Sequence, residues 1–366
     1  MIFFVAPAHE TWEIEEYLLQ YGAHLRNRVA ILKYDEIMRG KALPIGTYVF
    51  LSTDCLLPCE KEIAARFCRV LSSVRPAIKL LNDPGRVLCR YELLKRSFAL
   101  ERNRFRVFRA REFRLCQKFP VFVRTEQEHI GSLTGLLYTR QELVRALAMA
   151  QIRGYRLCDL IIVEYCDTAD SSGVFRLYCA SIVGDKIIPQ AVVHNRNWVT
   201  KWAGRLIDED KAREQLQYVQ SNPHAAWLRD TFRLANINYG RIDYGLADGV
   251  PQVWEINTNP LIVRRPGAAR AHSERQENLL APMRNRFLQQ FAAALEEIDS
   301  PADPNLIRLD ISQSERRDLR AEERSRWRLM ITTATRAISQ PRLVAAWFLR
   351  RFRARKKRIL EGDVRV

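Results

Sequence analysis

The chain has 366 residues, 47% of them hydrophobic, and a formal net charge of +17, which suits two or three compact lobes with a sizeable core. No apolar run is long enough to cross a bilayer, and residues 1–8 are too short and lack the basic start of a signal peptide. The eight cysteines are scattered without a Cys-x-x-Cys pair, Cys55 and Cys59 being the nearest two, so reduced, mostly buried thiols in a cytoplasmic protein are expected.

Residues 2–5 form an apolar strand, followed by a helix-spaced stretch at 10–25 with Thr11 as its cap. Strands at 29–33 and 48–51, a helix at 60–71 and a strand at 77–81 complete a strand–helix alternation that predicts a small parallel α/β lobe. It closes at the turn signal Asn82-Asp83-Pro84-Gly85. A helix over 87–100 and a strand at 105–108 come next, then the strand Phe119-Pro120-Val121-Phe122-Val123-Arg124 and a loop with Glu126, His129, Gly131, Ser132 and Gly135. Residues 140–153 read as helix, 160–165 as a strongly apolar strand carrying Glu164, and 174–183 with 186–189 as an antiparallel pair turned at Gly184-Asp185. Helices at 208–220 and 225–235 lead into a hairpin, and a long helix over 274–298 ends in a linker at 299–304. The units predicted are a parallel α/β lobe at 1–82, two α+β units at 83–165 and 166–298, and a basic helical extension at 299–366.

The hairpin carries the most chemistry. Residues 242–246 and 253–256 read as its strands, joined by the turn Ala247-Asp248-Gly249-Val250-Pro251. Alternate strand residues share a side, so Arg241, Asp243, Glu255 and Asn257 can project from one sheet face. Two carboxylates and an amide are hard oxygen donors of the kind that suit Mg²⁺, which takes few protein ligands and leaves the rest of its shell to water and phosphate. Singly, each residue reads as a polar position on a solvated hairpin; as an ordered set behind an apolar strand they do not. Walker-type, Gly-x-Gly-x-x-Gly and His-Glu-x-x-His motifs are absent from the sequence.

Arg241-Ile242-Asp243 with Glu255-Ile256-Asn257-Thr258-Asn259-Pro260 resembles the metal-binding end of the ATP-grasp superfamily, as in D-alanine–D-alanine ligases and glutathione synthetases. Leu261 stands where that family has a glycine after the proline. Over residues 1–298 the order of parts is similar: a small leading lobe, then two α+β subdomains that clamp ATP. The resemblance implies ATP and Mg²⁺ as cofactors, with Mn²⁺ able to substitute, and Asp243, Glu255 and Asn257 as metal ligands. It implies that Arg124, in place of the usual lysine, and the loop at Gly131 and Ser132 hold phosphate, that Glu164 and Tyr165 form the adenine hinge and that Asp167 or Asp170 binds ribose. Lys95 and Arg90 both lie where the family has its first phosphate-contacting lysine, and Lys95 is the one assigned. Arg241 and Arg176 are implied as the catalytic arginines, Arg176 through likeness to an arginine facing the cleft. Trp198, Lys201 and Asn259 are the candidates for substrate contact, although a loop packed by Trp198 reads equally well. The implied reaction activates a carboxylate of a small molecule or peptide as an acylphosphate and joins it to an amine or other nucleophile. The alternatives are a kinase that stops at phosphoryl transfer and a non-catalytic nucleotide- or polyanion-binding protein.

The tail is distinct. Residues 301–366 hold 17 Lys/Arg against 8 Asp/Glu, and residues 331–360 contain no acid. Leu343, Val344, Trp347, Phe348 and Phe352 fall on one helical face, with Arg350, Arg351, Arg353, Arg355, Lys356, Lys357 and Arg358 around and after it. Three readings stay open: a helix docked on the core, peripheral contact with an anionic membrane, and binding of RNA or another polyanion.

Overall fold

The computed structural model describes residues 1–127, 131–200, 204–263, 273–301 and 303–336, with side chains described through residue 325. The candidate Lys201, His129 of the loop and the basic segment at 341–358 lie outside the described residues. Among the described residues no helix is long and apolar enough to cross a membrane.

The first lobe begins with β1 (Ile2–Ala6), α1 (Trp12–Gln20), β2 (Val29–Lys33), α2 (Tyr34–Met38), β3 (Ala42–Ile45), β4 (Thr47–Phe50), α3 (Pro58–Val74) and β5 (Leu80–Leu81). Its main sheet has the order β2-β1-β4-β5, all pairings parallel. Every residue of β1 is buried, as a central strand covered on both faces requires. Ile2, Phe4 and Ala6 join one core with Tyr17 of α1, while Phe3 and Val5 join another with Phe67 and Leu71 of α3.

The middle of the chain gives α4 (Arg90–Ala99), β6 (Val107–Arg109), β7 (Val121–Thr125), α5 (Arg140–Ile152) and β8 (Leu160–Glu164). The three strands form an antiparallel sheet ordered β6-β8-β7. Leu143 and Leu147 of α5 pack under Val121, Val123, Leu160 and Ile162.

The third unit gives β9 (Phe175–Val183), β10 (Lys186–Asn195), α6 (Glu209–Ser221), α7 (Ala225–Ala235), β11 (Tyr239–Ala247), β12 (Val250–Asn257) and α8 (Glu274–Ile298). Its sheet is antiparallel, ordered β10-β9-β11-β12. Tyr178, Ala180, Val192, Ile242 and Tyr244 share a core with Tyr218 and Val219 of α6 and Leu228 and Phe232 of α7, so one sheet face is covered by helices. The β11–β12 turn is the pair Asp248-Gly249, both at positive φ (49° and 77°), as a two-residue hairpin of right-handed twist requires.

The expected linker and helical extension after residue 298 are corrected in part. β13 (Asp303–Arg308) returns to the first lobe and pairs antiparallel with β3, Ile307 opposite Leu43. Ile307, Leu309 and Ile311 are buried in the core beneath β4 and α3. Only then does α9 (Gln313–Arg336) begin, docked on α3 by the Arg66–Glu315 ion pair at 2.7 Å. The Glu322 carboxylate accepts the Cys59 backbone N–H near the start of α3, where exposed N–H groups favour an anion.

Candidate functional site

In the hairpin register, Asp243 stands directly opposite Glu255 and Arg241 opposite Asn257. Opposed residues share a face, so the four side chains gather on one side of the sheet. The Arg241 guanidinium forks onto Asp243, Nε to Oδ1 at 2.8 Å and Nη2 to Oδ2 at 3.1 Å, each side chain 11% exposed. Burial opposes the Arg241 charge, but the Asp243 carboxylate beside it outweighs this and holds the guanidinium pKa above its usual value.

Two further arginines reach the same place from other elements. Arg90, at the start of α4 and 4% exposed, donates from Nη2 to Glu255 Oε2 at 2.8 Å. Arg124, on β7 and 11% exposed, donates from its own Nη2 to the same oxygen at 2.6 Å. Arg90 Nη1 also donates to the backbone carbonyls of Thr125 and Glu126, fixing α4 to the end of β7. Burial lowers the Arg124 pKa and neighbouring Arg90 lowers it further, with Glu255 opposing. Among the described residues, three guanidiniums thus face two carboxylates in a centre built by α4, β7, β11 and β12. Arg124 Nε, Thr125 Oγ1 and Thr258 Oγ1 are buried there or beside it without a hydrogen-bond partner among the described residues.

The strand that carries Arg124 is paired by the loop that follows it. Ser132 bridges Arg124, Leu133 donates its N–H to the Val123 carbonyl at 2.8 Å, and Gly131 holds a positive φ of 96°. Gly131 and Ser132, expected to hold phosphate, thus lie beside Arg124.

The donor set fits a cation of the Mg²⁺ type and no fuller cage. Among the described residues no group of three His, Cys, Asp or Glu side chains converges on a metal site. Two carboxylates and the Asn257 amide supply few oxygens, and a cation held there needs phosphate or water for the rest. Asn257 Oδ1 already accepts the Asn259 N–H at 2.8 Å.

Several assignments change. Lys95 is exposed, its ammonium 5.5 Å from the Tyr91 ring centroid, and the residue of α4 that enters the centre is Arg90. Arg176 lies on the opposite sheet face. It has the parity of Tyr178 and Ala180, which pack toward α6 and α7, whereas Asp243 is opposite Cys179. Its guanidinium pairs with Glu214 of α6 at 2.8 Å and Asp170 at 2.6 Å, and Glu214 contacts His194 at 2.9 Å. Glu164 is buried and ties β8 to the chain before β6, its Oε2 accepting the Arg106 N–H at 2.9 Å. Asn259 anchors the hairpin to the first lobe, donating from Nδ2 to the Glu10 carbonyl at 2.9 Å and to Glu13 at 3.4 Å.

The segment expected to be the hinge is aromatic. Trp198 packs 4.9 Å from Phe122 of β7 and 5.8 Å from Tyr165, centroid to centroid. The Tyr165 hydroxyl donates to Asp167 at 3.1 Å, and Asp167 also accepts the Ala169 N–H. Asp170 takes the N–H groups of Ser172 and Val174, and with the Ser172 hydroxyl and Arg176 these hold its carboxyl well below the usual carboxylate range. In the first lobe, the loop after β1 brings His9 within 3.4 Å of Glu10, and the Cys55 thiol donates to the same carboxylate oxygen at 3.9 Å. These first-lobe residues carried no motif in the sequence.

The order of parts, a small parallel lobe and then two antiparallel sheets backed by helices, is the order that the ATP-grasp resemblance implies. No protein-family model matches the chain, and no curated protein matches it. Among solved structures, the chain is similar to a D-alanine–D-alanine ligase from Bacillus anthracis at 14% identity and TM-score 0.40, covering 81% of this chain and 98% of that one. It is similar to a D-cycloserine synthetase at 17% identity and TM-score 0.42, covering 80% and 99%. An L-amino acid ligase from Bacillus licheniformis matches at 13% identity and TM-score 0.39, covering 81% and 74%. Likeness at this level says nothing of activity.

Proposed function

We propose that this chain is an ATP-dependent carboxylate–amine ligase of the ATP-grasp type. The observation that carries the reading is the centre of Arg90, Arg124 and Arg241 around Asp243 and Glu255, drawn from the second and third units. Three converging guanidiniums beside two hard carboxylates suit a triphosphate with a divalent cation better than they suit a neutral ligand. Such a cation, held by Asp243, Glu255 and Asn257, would neutralise charge on the phosphates.

The chain's own residues then do three things in this reading. Arg124 and Arg90 orient the phosphate chain, helped by the N–H groups of the loop at Gly131 and Ser132. Arg241, fixed in its rotamer by the fork to Asp243, faces the charge that develops as the acceptor carboxylate oxygen bonds to the γ-phosphorus and the bridging oxygen leaves with ADP. An amine then attacks the acyl carbon and phosphate departs, forming the amide. The adenine side of the cleft is the aromatic wall of Phe122, Tyr165 and Trp198. Glu10 and Glu13, joined to the hairpin by Asn259, suit an acceptor that carries an ammonium group beside its carboxylate.

The test is incubation with MgATP and pooled amino acids, small acids and amines, read by mass spectrometry. ADP with a condensed product is the expected result. ADP with a phosphorylated, uncondensed acid would make the chain a kinase. No nucleotide turnover with any pool, together with no nucleotide binding, would overturn the reading.

A further inference from the structure

The carboxylates that would hold a cation are already engaged. Both oxygens of Asp243 accept from the Arg241 fork. Glu255 Oε2 accepts from two guanidiniums at once, at 2.8 and 2.6 Å. An oxygen with two charge-assisted hydrogen bonds has both in-plane lone pairs committed, and it cannot turn to a cation without releasing at least one donor. A triphosphate changes this, since its oxygens are better partners for the arginines than one shared carboxylate.

We propose that Arg90 and Arg124 form a guanidinium latch on Glu255 that excludes a divalent cation until nucleotide phosphate draws the two arginines away, so that cation binding requires bound nucleotide. This rests on the nucleotide reading above. Arg90 acts here as a positioning residue. It is held from behind by the carbonyls of Thr125 and Glu126, so its head is aimed at Glu255. The latch also requires that nucleotide bind without metal, because phosphate must draw the two guanidiniums from Glu255 before a cation can take that oxygen. By linkage, the cation must then tighten nucleotide binding by the same factor that nucleotide tightens the cation.

Equilibrium dialysis of the full chain against Mn²⁺ tests this, with and without saturating AMP-PNP on both sides of the membrane, alongside AMP-PNP binding in EDTA. The expected result is protein-bound Mn²⁺ near one per chain with AMP-PNP, affinity weaker by roughly tenfold or more without it, and measurable AMP-PNP binding in EDTA. Arg90→Met should raise nucleotide-free Mn²⁺ affinity and shrink the nucleotide dependence, an effect that a purely structural Arg90 would not produce. Arg90→Lys, which keeps the charge but not the fork, should fall between. Mn²⁺ affinity within threefold in the two states of the wild-type protein overturns the latch, and that comparison stands even if neither variant folds. Absence of Mn²⁺ binding in the presence of bound AMP-PNP overturns it too. Absence of AMP-PNP binding under every condition instead overturns the nucleotide reading on which the latch rests.

Discussion

Glu255→Gln removes a charge that two buried arginines share. Arg90 and Arg124 are 4% and 11% exposed and Glu255 17%, so solvent screens the loss little. Breaking a buried ion pair by deleting one partner costs roughly 3–5 kcal/mol. The glutamine carbonyl still accepts one N–H, which brings the expectation down to about 2–3 kcal/mol. At about 2–4 °C per kcal/mol for domains of this size, the melting temperature should fall by roughly 5–10 °C. The variant should also lose turnover, since a proposed metal ligand is gone. The loss of stability should be reversible by an anion: with pyrophosphate in EDTA at about 100 times its dissociation constant, binding restores about 2.7 kcal/mol. Thermal denaturation of both proteins, with and without pyrophosphate, reads all of this. A variant that melts within 1 °C of wild type, with no larger response to pyrophosphate, would refute the claim that Glu255 restrains these arginines.

Arg241→Ala should lower kcat by roughly a hundredfold or more while nucleotide affinity changes less, in steady-state kinetics paired with a binding titration. A loss of affinity alone would make Arg241 a ground-state binder. For Glu214, burial raises the carboxyl pKa, but hydrogen bonds with His194 and Arg176 outweigh it and hold the pKa below 4.5. Its contribution is thus fully present above that value and lost as pH falls through the lower folded pKa, so the stability gap between wild type and Glu214→Gln should be constant at neutral pH and close on acidification. A gap that widens in acid contradicts the sign. Truncation after residue 336 should leave nucleotide binding intact; the surface-binding reading predicts loss of salt-sensitive co-sedimentation with anionic vesicles, and the docked-helix reading a lower melting temperature with no vesicle binding by either form. Truncation after residue 300 should instead destabilise the first lobe, because it strips β13 and the buried Ile307, Leu309 and Ile311, at about 1.5–3 kcal/mol for each such side chain.

The hairpin was legible because period two and a tight turn determine which side chains share a face. Asp243, Glu255 and Arg241 needed only their own strands to be placed together. Arg176 was misplaced because its face depends on the β9–β11 register, Asp243 opposite Cys179, which is a long-range pairing that local pattern does not contain. Arg90 was within reach of the sequence. It stands on the same helical stripe as Leu94 and Ser97, all buried, while Lys95 falls off it. An arginine on an apolar stripe asks for a partner, and charge alone could not rank it above a lysine. Ile307, Leu309 and Ile311 alternate as a strand does, but the Pro- and Asp-rich stretch before them and the basic run after them masked the signal. Their partner β3 is more than two hundred residues away in the chain.

The central claim is that Arg90, Arg124 and Arg241 with Asp243 and Glu255 form the nucleotide-phosphate centre. The most direct measurement is a crystal structure of the chain with Mg²⁺ and AMP-PNP. The account predicts triphosphate oxygens on the three guanidiniums, a cation between Asp243 and Glu255, and Arg90 and Arg124 lifted from Glu255. Nucleotide bound elsewhere, with the Arg90–Glu255 and Arg124–Glu255 pairs intact, would contradict it.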